Sequence, residues 1–292
     1  MIFLVLGLVT AMADCDTAMD RINYDSAAQY CLAEVEVHPK SYDSDVRLDR
    51  NPESEVPAQY KWAASLSYGF SDYSPDRGHW DDYSITIRHY WKSASLAFEY
   101  LSAEHFDEND DAFALDAYVD IWPRAYANLR YQYSPDAERY PNYSYRMEIF
   151  QGVGKGWEPS VSYDHMNFGG NNVDMYGAGL GKYTGNWYLR WRTLFIPSTA
   201  RLGISHRTIA RYYYSGNGDD YVEINGGFSR GGEFIRDTRI IQATKSQSFG
   251  AALQKYFNPR WGIKLSAGYD DDKDTFPAVE RSISVSVYTR WL

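Results

Sequence analysis

Cysteine is nearly absent, and so is any apolar run long enough to cross a bilayer as a helix. Two cysteines in 292 residues exclude a disulfide-stapled scaffold and a Cys-based zinc module. After the first dozen residues nothing approaches the roughly 20 apolar residues of a transmembrane helix, and mean hydropathy is -0.53. A helical membrane protein is excluded. Histidine is scarce as well, with six in all. In the single adjacent serine pair, Ser205-His206, the two side chains would point to opposite faces of a strand, so they cannot form a nucleophile and base. No phosphate loop, zinc spacing, calcium loop or paired catalytic carboxylates can be read, so no catalytic residue, metal or cofactor is expected. The net charge of -10 argues against nucleic acid as a partner. Acid is concentrated in Asp107-Glu108-Asn109-Asp110-Asp111, Asp219-Asp220 and Asp270-Asp271-Asp272-Lys273-Asp274. These read as solvated loops, with a bridging divalent cation as the alternative.

What the chain does have is aromatics, 27 Tyr, 9 Trp and 13 Phe, set in segments of period two. In 156–197 Trp157, Pro159, Val161, Tyr163 and His165 fall on one face, and Glu158, Ser160, Ser162 and Asp164 on the other. After a turn at Thr184-Gly185-Asn186, Trp187, Leu189, Trp191, Thr193 and Phe195 alternate with Tyr188, Arg190, Arg192 and Leu194. An apolar aromatic face opposite a polar, arginine-bearing one suits a strand that meets lipid on one side and a lumen on the other. A soluble all-β sandwich is the competing reading.

The same alternation runs from Ala58 to the end of the chain and gives about fourteen strands, with twelve to sixteen as the bounds. The fold expected is therefore an all-β, antiparallel transmembrane barrel over 58–292. Short connectors, among them Lys92-Ser93, Pro123-Arg124 and Asn258-Pro259, follow the even strands, and mostly longer polar ones follow the odd strands. That alternation places both termini in the periplasm. Residues 230–247 read as a long external loop or an extra hairpin. Trp62, Trp91, Trp157, Trp187, Trp191, Trp261 and Trp291 are expected in the membrane girdles.

Before the barrel, 1–13 read as a secretory signal: an apolar stretch, then Ala11-Met12-Ala13 as a cleavage site, without the usual basic start. In the oxidising periplasm Cys15 and Cys31 could form a disulfide, with two free thiols as the alternative. Tyr24, Ala27, Ala28, Cys31, Leu32 and Val35 recur at helical spacing before Pro39, so 14–57 is expected to be a helical, tetratricopeptide-like segment plus linker. One such repeat cannot bury its own face, which leaves it a remnant, a cap or a docking element for a periplasmic protein. The end, Val287-Tyr288-Thr289-Arg290-Trp291-Leu292, resembles the C-terminal signal read by the barrel-assembly machinery, except that the aromatic is penultimate.

The run Gly154-Lys155-Gly156-Trp157-Glu158-Pro159-Ser160, with Val173-Asp174-Met175-Tyr176, Leu180-Gly181-Lys182-Tyr183, Arg211-Tyr212-Tyr213 and Gly218-Asp219-Asp220-Tyr221, resembles the YaiO family of outer-membrane β-barrel proteins. The resemblance spans 58–292 and implies fold and location in the outer membrane of a Gram-negative bacterium. It carries over no catalytic or binding residues.

Inward positions carry Lys61, Arg88, Lys92, Arg130, Arg146, Lys182, Arg190, Arg192, Arg207, Arg211, Lys264 and Arg290. Against them stand Glu99, Asp116, Asp120, Glu148, Glu158, Asp164 and Glu223, so a basic lumen is expected. Arg190, Arg192, Arg207 and Arg211 would favour small anionic solutes or an anionic polysaccharide; alternatively they pair with acids such as Glu223 and Asp164 and plug the barrel. The function expected is a monomeric passive channel or export pore in contact with outer-membrane lipids. A non-conducting docking barrel and a lipid-modifying enzyme are the competing classes.

Overall fold

The computed structural model describes residues 60–292, apart from 75–77, 106–107, 136, 138–139, 170, 198–201, 216–217, 236–239 and 273–277. The signal segment, the helical segment of 14–57, and Cys15 and Cys31 lie outside the described residues. Fourteen strands follow one another: β1 Trp62–Ser74, β2 Gly78–Tyr90, β3 Ala94–His105, β4 Glu108–Trp122, β5 Ala125–Tyr133, β6 Tyr143–Gln151 and β7 Trp157–Phe168. The second half is β8 Asn171–Thr184, β9 Trp187–Ile196, β10 Gly203–Tyr213, β11 Tyr221–Ile235, β12 Ile240–Tyr256, β13 Trp261–Asp272 and β14 Ala278–Trp291.

Every strand pairs antiparallel with its neighbours in sequence, and β14 closes on β1 from Trp62↔Trp291 to Ser74↔Val279. Closure satisfies every strand's backbone within the barrel and leaves no edge, which a lipid environment requires. The side-chain period follows the sequence. Leu66, Tyr83, Ile85, Phe98, Leu115, Leu180 and Ile283 are exposed on the outer face, while Ser65, Ser84, Glu99 and Asp116 are buried on the inner one.

Outward tryptophans gather at the rim that carries both ends of the described chain. Trp62, Trp157, Trp187 and Trp261 open their strands and Trp122 and Trp291 close theirs, with Trp91 in the turn after β2. Trp191 lies one turn of the alternation higher, also exposed. Trp122 escaped the period-two reading because the register shifts between Asp120 and Trp122. The bulge re-aims the side chain outward, where its indole donates to Gln151 Oε1 at 2.6 Å.

The strands run further than alternating hydrophobicity suggests, and this corrects three expectations. β4 begins at Glu108 and β13 extends to Asp272, so much of the acid assigned to loops sits in strands. Residues 230–235 and 240–247 belong to strands and not to a long loop or extra hairpin: β11 and β12 stay paired from Arg230↔Lys245 to Ile235↔Ile240. Connectors at the rim away from the termini are only slightly longer as a group than those at the terminal rim: 134–142 between β5 and β6 is the longest at the first, and 214–220 between β10 and β11 at the second. Backbone pairing does not need an apolar face, so hairpins continue past the zone where lipid imposes one.

Candidate functional site

The chemistry-bearing side chains line the inner wall. On β9, Arg190 and Arg192 face inward, and their partners are not on the adjacent strand. Arg190 reaches across β8 and β7 to Glu148 on β6, with Ser160 Oγ between them, 3.2 Å from Arg190 Nη2 and donating to Glu148 Oε1 at 2.7 Å. Arg192 donates to Ser162 Oγ at 2.8 Å and to Asp164 Oδ2 at 3.1 Å, both on β7. Asp164 also accepts from Arg146 Nε on β6 at 2.7 Å.

This crossing is possible because the inner positions of β8 are glycines. A Cβ on Gly177 would collide with Ser162 Oγ, and one on Gly179 would collide with Ser160 Oγ and stand 3.3 Å from Arg190 Nη2. The Gly-x-Gly-x-Gly alternation in β8 is therefore a trough that leaves room for the Arg190 guanidinium to pass. The same device, with Ala for Gly, recurs elsewhere. Arg88 on β2 passes Ala97 on β3 to reach Asp116 on β4 at 2.5 Å, and Arg130 on β5 reaches Glu99 on β3 at 2.5 Å past Ala114 on β4. Arg211 and Glu223, on adjacent strands, pair at 2.7 Å.

The inner-face ion pairs just named join strands at most three apart and so run along the wall. Removing one partner of such a buried pair leaves the other charge uncompensated.

Among the buried charges carboxylates outnumber cations, and the excess lies on one side. From β14 through β5 there are two cations, Arg88 and Arg130, and five carboxylates, Asp82, Glu99, Asp110, Asp116 and Glu280. From β6 through β13 five cations, Arg146, Arg190, Arg192, Arg211 and Lys264, face five carboxylates, Glu148, Glu158, Asp164, Glu223 and, in the connector before β11, Asp220. The expected basic lumen is thus corrected to one with a carboxylate-rich side and an evenly balanced side. Part of the reason is Lys182, which points outward over Trp157 at 4.6 Å; Lys61 and Lys92 are exposed at the rim. The other part is acid in β2, β4 and β14 that the reading had left out. Where β14 meets β1 the inner face is serine, with Ser67 opposite Ser286.

Below the charged belt, inward aromatics ring the terminal end. Tyr126, Phe150 and Tyr188 form a buried cluster with Tyr118, Tyr183 and Tyr213 against it. Arginines stack on this collar, Arg190 over Phe150 at 5.0 Å and Arg211 over Tyr221 at 4.1 Å. At the mouth, Asp219 in the connector before β11 accepts from Arg290 on β14 at 2.7 and 3.1 Å. Neighbouring Asp220 accepts from Lys255 Nζ and the Tyr256 N–H, both at 2.7 Å. Burial opposes its charge, but these donors outweigh it and hold the carboxyl below its usual range.

Sequence reasoning found the arginines, because period two assigns them to the inner face, but it missed the glycine trough and the aromatic collar. The collar's signal is present as tyrosines next to the strand ends, out of phase with the outward tryptophans. Two histidines lie on the outer face, His89 between Trp62 and Trp91 at 4.2 and 4.4 Å, and His206 against Thr193 at 2.9 Å.

A model of the YaiO membrane beta barrel domain matches residues 61–233. No curated protein shows significant similarity to the chain. Among solved structures, the CymD monoaromatic hydrocarbon channel superposes with a TM-score of 0.55 at 9% identity, over 80% of this chain and 89% of its own. A bacterial polysaccharide outer membrane secretin gives 0.49 at 9% identity over 82% and 100%. An anion-selective porin from Comamonas acidovorans gives 0.42 at 8% over 80% and 99%. At these identities the likeness concerns the fold.

Proposed function

The chain belongs to the YaiO membrane β-barrel family and is an outer-membrane β-barrel built like porins and channels; from that premise we propose that it is a passive channel or export pore for small anionic solutes or polysaccharide. One observation carries the reading: the described ion pairs of the inner face run between nearby strands, and most of the buried arginines lie on the side opposite a carboxylate-rich one. Arginines placed to plug a barrel would reach across it. Fourteen strands also make a wider interior than the roughly eight-stranded barrels that side chains fill, approaching the roughly 16 to 18 strands of water-filled porins. Anions would follow the β6–β13 side, which holds most of the buried arginines.

In this reading the tryptophan belt sits at one lipid interface and meets outer-membrane lipids. The terminal rim faces the periplasm, the barrel-assembly machinery inserts the chain through β14, and the barrel works as a monomer without catalysis. The test is planar-bilayer recording of the refolded protein. Discrete current steps at both polarities are expected, and a bilayer that stays silent although folded barrel has inserted overturns the channel reading.

A further inference from the structure

Where β13, β14, β1 and β2 meet, the inner face is lined by side chains too short to cover one another. Ser284 is bordered in the register by Gly69 and Ser266, and along its own strand by Ser282 and Ser286. Ser67 is bordered by Ser286 and Ser84, and along its own strand by Ser65 and Gly69. Fourteen strands enclose more space than the side chains of the far wall fill, so these serines should stand in an open lumen. They are instead only 6% and 3% exposed. The hydroxyls of Ser67, Ser84, Ser284 and Ser286 are buried and have no hydrogen-bond partner among the described residues. A strip of serine and glycine lets another backbone lie close against it, and buried hydroxyls call for acceptors.

The chain itself leads to this strip. Tyr60, the first described residue, directly precedes the β1 end of the chain. Alternation would turn it outward like Trp62, yet its ring lies against Arg290 at 4.8 Å. Arg290 stands at the inner mouth, against the Tyr256 ring at 4.4 Å and paired with Asp219 at 2.7 Å. Tyr60 thus brings the chain to the lumen opening, at the foot of the serine strip.

We propose that residues 14–57 dock inside the barrel along the serine strip of β13, β14, β1 and β2 and narrow the lumen. Reach is no obstacle, because the chain from Glu36 to Gln59 spans about 80 Å when extended, more than the length of any strand. Residues 14–57 hold eleven Asp and Glu against four Lys and Arg, an excess of the acceptors that the seam hydroxyls call for. Lys264 stands beside Ser286 on the β13 flank, whereas Asp82 and Glu280 on the other flank repel that excess and turn it toward β13. The segment's apolar face, which one repeat cannot bury alone, gains a wall to lie against. This deepens the channel reading by adding a constriction from within the chain, and it rests on that reading for conductance but not for docking.

Cys15 and Cys31 are the only cysteines of the chain, so a cysteine placed in the barrel wall finds partners only in this segment. The test uses the full chain with Ser284→Cys or, separately, Ser67→Cys, each made with Cys15→Ser or Cys31→Ser to remove the competing disulfide of the native pair. The refolded, reduced protein is oxidised with copper phenanthroline, and the disulfides are mapped by mass spectrometry. Leu66→Cys, next to Ser67 but exposed on the outer face, is the control. Both seam cysteines should bond to the segment within one chain, at a yield at least about tenfold above the control, as a high effective concentration requires. In planar bilayers the cross-linked barrel should hold a reduced current that a reducing agent raises. No cross-link from either seam position in folded barrels, equal yield from Leu66→Cys, or disulfides only between chains overturns the docking, and a current indifferent to reduction overturns the narrowing. A cross-linked barrel that never conducts, before or after reduction, supports the docking and sinks the channel reading; conductance without any cross-link does the reverse.

Discussion

The barrel's two sides use one wall design with a different charge balance. From β6 to β13 the buried cations and carboxylates are equal in number and Arg190 crosses a glycine trough; from β14 to β5, carboxylates outnumber arginines and the crossing points are alanines. Both sides pair arginines along the wall, so what separates them is the carboxylate excess and not the pairing. The difference teaches that pairing and charge balance are separate properties: Arg190 is paired with Glu148 on a side where cations and carboxylates match, and Arg88 and Arg130 are paired on a side where carboxylates exceed them. An ion pair inside a barrel does not by itself make a plug. Its direction decides.

The largest expected effect comes from breaking a crossing pair. Glu148→Ala strips Arg190 of its carboxylate and Ser160 of its acceptor, and should cost about 3–5 kcal/mol, read from the urea midpoint of the refolded barrel. An unchanged midpoint would mean that the pair does not form. Gly179→Val fills the trough itself. Its side chain would collide with Ser160 and press on Arg190, for an expected loss of about 1–3 kcal/mol, whereas the same exchange at Gly185, where nothing lies within 4 Å but φ is +57°, should act only through local backbone strain. Equal losses accompanied by an undisturbed Arg190 would remove the trough from the account.

Smaller is the effect of acid on the Asp220 latch. Its folded carboxyl titrates below the usual value, so its contribution is present above the unfolded value of about 3.9 and is lost as pH falls through the lower folded one. The thermal midpoint of wild type should therefore drop below about pH 4 by more than that of Asp220→Asn, and identical acid profiles would contradict the latch. Smallest of all is Ser67→Ala at the serine seam. Ser67 Oγ has no hydrogen-bond partner, so the change should stay within about 0.5 kcal/mol, marking this seam as neutral ground between the two charged sides.

Much of this was legible before the structure. Period two with Trp and Tyr on one face carries strand, barrel and strand number together, because a lipid-facing side chain at every second position leaves few other solutions. It also assigns Arg190, Arg192 and Arg211 to the inside. What it could not carry is who pairs with whom. Arg190 and Glu148 are joined across three strand steps, a relation set by barrel curvature and by the empty inner face of β8. Strand ends were misjudged for a related reason, since the hairpins beyond the lipid zone keep their hydrogen bonds without keeping the apolar alternation. Trp122 shows the limit most plainly. A single bulge reverses its face, and nothing in local composition announces it.

The two-sided lumen is tested most directly by the reversal potential of single barrels in a KCl gradient, compared between Arg190→Glu with Arg192→Glu and Glu99→Gln with Asp116→Asn. The account predicts shifts of opposite sign, toward cations for the first variant and toward anions for the second. Shifts of the same sign, or none in either folded and conducting variant, would contradict it.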